Sequence, residues 1–239
     1  MLTKTAGLIL HHFPYGDRSV ILKIYTRKLG LQSLLIPSIK SKSSPIAPSL
    51  LSPLQELDLV LYYKNKGGLE RLKEAVKKGD SSQIRLDPFK ACIAVYIAEL
   101  VMRSATADEP HPELYDFISE VVSVLEQSPS SYTNLPIYTA LNLSSFLGFY
   151  PHALPGGSIL DLREGHFVNR TPVHPDFIPE NTSLPLLQFL NQPWSVCSRI
   201  PLQGDQRFAI LKALEQYYRI HLSEFAALKS LDVLHSVLS

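Results

Sequence analysis

"GLILHHFPYGDRSVILKIYTRKLGLQSLLIPS", residues 7–38, decides how the first third of the chain is read. Runs rich in Leu, Ile, Val and Tyr alternate with turn residues, first Pro14-Tyr15-Gly16-Asp17 and then Lys28-Leu29-Gly30. Such runs bounded by Gly, Pro and Asp read as strands. The strands are "GLILHHF", "SVILKIYT" and "LQSLLIPS", and a fourth, "LDLVLYYK", follows a Ser/Pro-rich stretch from Pro37 to Pro53. In "QELDLVLYY", Leu57, Leu59, Leu61 and Tyr63 share one face while Glu56, Asp58 and Tyr62 share the other, as a half-buried strand requires. "GLERLKEAV", after the turn Asn65-Lys66-Gly67-Gly68, is open between strand and helix. Five short strands with a longer excursion between the third and fourth predict a closed five-stranded barrel of the OB type.

From Leu86 the period changes. "LDPFKACIAVYIAELVMRS" offers Asp87 as N-cap and Pro88 at the first helical position, and Phe89, Ile93, Tyr96, Ile97, Leu100 and Val101 recur at helical spacing. Pro112 opens a second helix, with Leu114, Phe117, Ile118, Val121 and Leu125 as its stripe. "IYTALNLSSFLGFYP" is apolar nearly all round, which places it at the centre of a domain. "DQRFAILKALEQYYRIHL" and "LKSLDVLHSVL" complete the helical set. Between them lies a Pro-, Gly-, Asn- and Ser-dense stretch, 151–204, too long for a plain connection and containing a strand-turn-strand pattern in "SILDLREGHFV". The expectation is an α+β chain: an OB-fold nucleic-acid-binding domain over 1–80, then a helical domain over 81–239 with an insertion at about 151–204.

With 239 residues and 45% hydrophobic content the chain can bury a real core. No apolar run approaches the roughly 18 residues of a membrane span, and "MLTKTAGLILHHFPYG" lacks a signal-peptide layout. A cytoplasmic protein follows as the expectation. Cys92 and Cys197, without a CxxC pair, read as ordinary buried thiols.

Overall charge is nearly balanced, yet residues 1–80 hold 13 Lys+Arg against 6 Asp+Glu, and residues 81–239 hold 10 against 16. A basic unit suits phosphate; an acidic one suits a different partner. Thr26–Ser44 carries Arg27, Lys28, Lys40 and Lys42 with no carboxylate, and Lys64 and Lys66 sit at the turn after the fourth strand. Lys23 and Tyr25 share one face of the second strand, a cation beside an aromatic suited to stack a base. These eight residues form the candidate DNA-binding set, in the loops and strand face that OB barrels use for oligonucleotides. No phosphate loop, GxGxxG, HExxH or GxSxG pattern occurs, and no catalytic constellation is read. The adjacent His11 and His12 point to opposite strand faces, against a shared metal, and His221 reads as a core or interface histidine.

The stretch from Thr5 to Ser44, "LSPLQELDLVLYYK", "LNLSSFLGFYP" and the closing "YYRIHLSEFAALKSLDVLHSVL" together resemble the bacterial recombination mediator RecO family. The shared features are a T-x-G-(I/L)-(V/I)-L opening at Thr5, a Y-G-E/D-x-S turn at Tyr15, a T-x-x-x-G step at Thr26, a Leu-Gly-Tyr-Pro-like step and Lys229-Ser230-Leu231. The resemblance implies an OB domain joined to a helical domain. It implies a non-enzymatic protein of recombinational DNA repair that binds single- and double-stranded DNA and anneals complementary strands. It further implies help in loading the RecA recombinase, with RecR and the acidic tail of single-strand DNA-binding protein as partners, and a nucleoid-associated location. Many members carry four zinc-binding cysteines after the Leu-Gly-Tyr-Pro-like step; here "HALPGGSILDLREGHFV" holds none, so no zinc or other cofactor is expected. Arginines near the start of that helix are replaced by "IYTALNL", which leaves the acidic-tail site unassigned. The alternatives are an OB-fold protein-interaction scaffold and an RNA-binding protein without annealing activity.

Overall fold

A computed structural model describes residues 1–41, 43–64, 68–105, 110–129 and 131–238. The chain packs as two compact units, Met1–Gln127 and Ser128–Ser239.

In the first unit five strands close a barrel: β1 (Leu2–Tyr15), β2 (Ser19–Thr26), β3 (Gly30–Ile36), β4 (Glu56–Tyr62) and β5 (Leu69–Lys77). Their order is β1-β2-β3-β5-β4, all neighbours antiparallel except β3 and β5, and the barrel is an OB fold. "GLERLKEAV" is a strand, because it must fill the gap between β3 and β4. Inside lie Ile9, Leu22, Ile24, Leu34, Ile36, Leu57, Leu59, Leu61 and Leu72, joined by Ile39 and Ile46 from the long loop. Gly7 is required by this packing: a Cβ there would stand 2.7 Å from Leu59 Cδ1 and 2.9 Å from Ile24 Cδ1.

The boundary expected at residue 80 falls just beyond the barrel's last strand; the compact unit continues through α1 (Ser82–Leu86), α2 (Pro88–Ser104) and α3 (Pro112–Gln127). Asp87 caps α2 by accepting from the Phe89 and Lys90 N–H groups at 2.8 and 3.3 Å. The α2 stripe is buried as expected except Phe89, which is exposed; in α3 Tyr115 and Val122 join the buried set. Helix α2 packs on β1, and Glu56 of β4 accepts from Tyr115 Oη at 2.5 Å, Ser119 Oγ at 3.1 Å and Lys78 Nζ at 3.0 Å. Burial and this bond to a carboxylate hold the Tyr115 phenol far above its usual pKa.

The second unit is built round α4 (Leu135–Phe146), buried on nearly every side. Gly148 ends it at φ +83, and Phe149 then sits among the rings of Tyr217, Tyr218 and His221 of α7 (Gly204–His221). Tyr217 Oη donates to the Phe149 carbonyl at 2.6 Å and Tyr218 Oη to that of Ala140 at 2.7 Å. His221, expected in a core or an interface, is half-buried, stacked on Phe149 and hydrogen-bonded to the Leu162 carbonyl at 2.9 Å. Residues 151–204 have structure of their own. Strands β6 (His152–Ala153), β7 (Ile159–Asp161), β8 (His166–Val168) and β9 (Phe177–Ile178) pair in the order β6-β8-β7-β9, so the foreseen hairpin is the centre of a small sheet. Helices α5 (Glu180–Leu187) and α6 (Trp194–Cys197) follow it, and α8 (Ser230–Leu238) packs on α7. Burial pushes the Cys197 thiol up to about 11, as expected of a packing cysteine.

The charge split softens when regrouped by unit. Residues 1–127 hold 16 Lys+Arg and 14 Asp+Glu, and residues 128–239 hold 7 and 8. Part of the acidity assigned to the second half belongs to α3, beside the basic barrel. Among the described residues no helix is long and apolar enough to cross a membrane.

Candidate nucleic-acid interface

Strand register defines an open face on the outside of the barrel. Opposite one another on β1, β2, β3 and β5 stand Phe13, Ile21, Leu35 and Arg71, and in the next row His11, Lys23, Ser33 and Leu69. Tyr62 of β4 opposes Arg71 and prolongs the first row, while Tyr15 stands opposite Ser19 at the rim. Phe13 is 36% exposed, Tyr62 41%, Leu69 45% and Tyr15 52%. The rings of His11 and Phe13 stack with centroids 6.2 Å apart and 28° between their planes. Lys23 Nζ donates to Ser33 Oγ at 2.7 Å, a cation held in the middle of the face.

A single irregularity creates this surface. Ile9 pairs with Ile24 but His11 pairs with Lys23, so Leu10 is an extra residue in β1. A bulge shifts the alternation by one. Without it His11, Phe13 and Tyr15 would turn into the barrel; with it they turn out. Aromatic faces beside cations, on a surface open to solvent, are the components of a single-strand binding platform. None of these three ring residues was in the sequence-derived set: His11 reads there only as half of a histidine pair, Phe13 as the end of a strand and Tyr15 as part of a turn.

The expected residues divide. Lys23 lies on the face. Lys40 is exposed in the loop after β3, next to the β1–β2 turn, and Lys64 is exposed just after Tyr62. The backbone N–H of Lys64 donates to both carboxylate oxygens of Glu70 at 3.1 Å. Lys42 and Lys66 lie outside the described residues. Arg27 and Lys28 are exposed at the opposite end of β2 from the β1–β2 turn. Arg27 is engaged: Nε and Nη2 donate to the two oxygens of Asp116 on α3, both at 2.8 Å, which holds that carboxyl below its usual range. Lys28 opens beside Lys4 on a shallow cleft near Asp58 and Glu74.

Tyr25 requires a correction. It does face outward from β2, but its ring is 1% exposed and its hydroxyl donates toward the His111 carbonyl at 3.5 Å. Burial pushes the phenol up to about 12. No ring face is left for a base; the exposed rings of this surface are Phe13, Tyr15 and Tyr62. The outer surface of the barrel divides: Leu8, Leu10 and Tyr25 are buried, while beyond the bulge Phe13, Tyr15, Tyr62 and Leu69 are exposed around a buried Ile21.

Residues 1–78 match the family described as Recombination protein O N terminal, and residues 85–153 that described as Recombination protein O C terminal. The DNA repair protein RecO of Bacteroides fragilis is 30% identical over 98% of each chain, and that of Phocaeicola vulgatus 31% identical over the whole of both. That of Porphyromonas gingivalis is 30% identical over 99% of each. Full-length similarity at this level, together with the OB barrel and its matched continuation, places the chain in the RecO family of DNA repair proteins.

Proposed function

We propose that this DNA repair protein binds single- and double-stranded DNA on the open barrel face and anneals complementary strands, and that with RecR it assists RecA loading on DNA covered by single-strand DNA-binding protein. The observation that carries the DNA reading is the face itself: solvent-exposed aromatic rings in register with Lys23 and Arg71. The protein partners rest on family membership. Annealing is non-enzymatic: two repelling strands must be neutralised while most of their bases stay free to pair, and phosphate contacts achieve this without reading sequence. Lys23, Lys40 and Lys64 would neutralise phosphate in this reading, as would Lys42 and Lys66, which lie outside the described residues. The test is the rate at which two complementary fluorescent oligonucleotides pair with and without the protein; no acceleration at low salt would refute annealing. Competition with RNA of the same sequence separates DNA from RNA binding.

Two results are expected of the cations. Lys40→Ala combined with Lys42→Ala flattens the dependence of log affinity on log salt by up to about 2, since each lost phosphate contact counts for about 0.7–0.9. An unchanged slope removes that loop from the site. Asp116→Asn releases Arg27 from an exposed ion pair of the kind that salt screens readily. DNA titrations of this variant should show tighter binding and a slope steeper by about 0.7–0.9. Equal affinity in variant and parent would mean that DNA does not reach that end of β2.

The reading includes no metal. The donor set after the Leu-Gly-Tyr-Pro-like step does not fit a thiolate zinc centre, for 151–179 contains no cysteine. Asp161 is already engaged, accepting from the Arg163 and Glu164 N–H groups at 2.9 and 3.2 Å and lying 3.2 Å from His174 Nε2. Leu160, Phe167 and Ile178 are buried and close the small sheet on an apolar core.

A further inference from the structure

At the rim of the open face the β1–β2 turn and the loop after β3 enclose a cleft of about 550 Å³, within the roughly 300–1,000 Å³ that small-ligand sites occupy. Exposed Pro14 gives it an apolar wall, backed by the edges of the core residues Val20 and Ile39; Arg18 and Lys40 bring two cations and Asp17 a carboxylate. The two sides are tied together. The Ile39 N–H donates to the Arg18 carbonyl at 3.0 Å, and the Ile39 side chain is anchored in the barrel core. The Ser41 N–H closes a turn onto the Ser38 carbonyl at 2.8 Å, with Ser38 held at φ +51. The cleft is thus shaped before any ligand arrives.

We propose that this cleft takes one unpaired nucleotide of a bound single strand and prefers guanine there. The inference rests on the DNA-binding reading and adds base selectivity to it. A base lies against the apolar wall, its phosphate between Arg18 and Lys40, and its Watson–Crick edge toward Asp17. Single-stranded bases are read on that edge, and a carboxylate accepts hydrogen bonds from base amines. Guanine offers two adjacent donors, N1–H and N2–H. Adenine and cytosine offer one amine beside an acceptor. Thymine sets its lone N3–H between two carbonyl oxygens that repel a carboxylate. A phosphate-only site would not need the apolar wall or the acid.

The test is a titration of the full-length, ¹⁵N-labelled protein with dGMP, dCMP, dAMP, dTMP and inorganic phosphate, following the amides of Gly16–Ser19 and Ser38–Ser41. A parallel titration uses fluorescent single-stranded DNA. Expected are shifts in both segments with dGMP bound about five- to tenfold more tightly than dTMP, and loss of that preference in Asp17→Asn, whose exposed side chain the fold does not need. Equal shifts from all nucleotides and from inorganic phosphate would overturn the proposal in favour of a phosphate site. Silent amides with intact DNA binding would overturn it while leaving the DNA reading standing. Failure of DNA binding itself would remove both.

Discussion

Phe13→Ala combined with Tyr15→Ala weakens single-stranded DNA binding far more than the loss of any one cation, and leaves duplex binding nearly intact. Stacking a base on an aromatic side chain contributes about 1–3 kcal/mol by alanine substitution, so each replacement should cost about 5- to 150-fold in affinity. Duplex DNA keeps its bases stacked on one another and presents phosphates, which the cations still meet. The folded state should tolerate the change, because both rings project from the barrel rather than into it. Fluorescence anisotropy with matched single- and double-stranded oligonucleotides reads the difference, and circular dichroism checks the fold. A parallel loss on both substrates would indicate a general electrostatic surface rather than a stacking platform. Unchanged binding on both would take the face out of DNA recognition and leave it to a protein partner.

Gly157→Ala should have the largest effect on stability. A Cβ at this position would stand 2.0 Å from the Phe167 carbonyl oxygen and 2.4 Å from its carbon, atoms of the β8 backbone. The neighbouring strand cannot swing away as a flexible side chain can, since the Ser158 N–H donates to the Val168 carbonyl at 2.9 Å and Phe167 is fully buried. Overpacking ordinarily costs 1–3 kcal/mol, and a backbone obstruction lies at or above the top, about 3 kcal/mol. For a unit of this size that lowers the midpoint by roughly 13 °C. Gly156→Ala is the control: its φ is +72 with nothing within 4 Å of the added carbon, so it meets only the left-handed backbone penalty of about 1–2 kcal/mol. Calorimetry on the full chain should show the second substitution as the mild one. Equal midpoints for both would mean that the small sheet relaxes freely, and that β7 and β8 do not require the close approach.

Much of the fold could be read from local chemistry. Gly and Pro turns mark the ends of β1, β2 and β3, Asp87 followed by Pro88 starts α2, and the all-round apolar "IYTALNLSSF" becomes the buried α4, because each signal acts within a few residues of itself. Within the stretches that carry the family resemblance, Gly148 answers a local demand of backbone conformation, whereas Gly7 answers a tertiary one, the close approach of Leu59 and Ile24. Position along the chain also identified Lys23 and Lys40 as cations of the barrel surface.

Which side of the barrel a residue faces, and what covers it, depended on distant parts of the chain. Tyr25 reads as a surface aromatic beside a cation, yet in the folded chain it is buried and its hydroxyl reaches toward the His111 carbonyl, 86 residues away. Arg27 reads as a free phosphate ligand, yet Asp116 on α3 holds it. The open face exists because one added residue, Leu10, reverses the alternation of β1 and turns His11, Phe13 and Tyr15 outward. The sequence alone marked β1 to β4, the helices α2, α3, α4, α7 and α8, and the family; tertiary structure made β5 a strand and decided which barrel residues face outward and stay open, because a strand's period is a local property, while its register and its cover are set only when partners far along the chain pack against it.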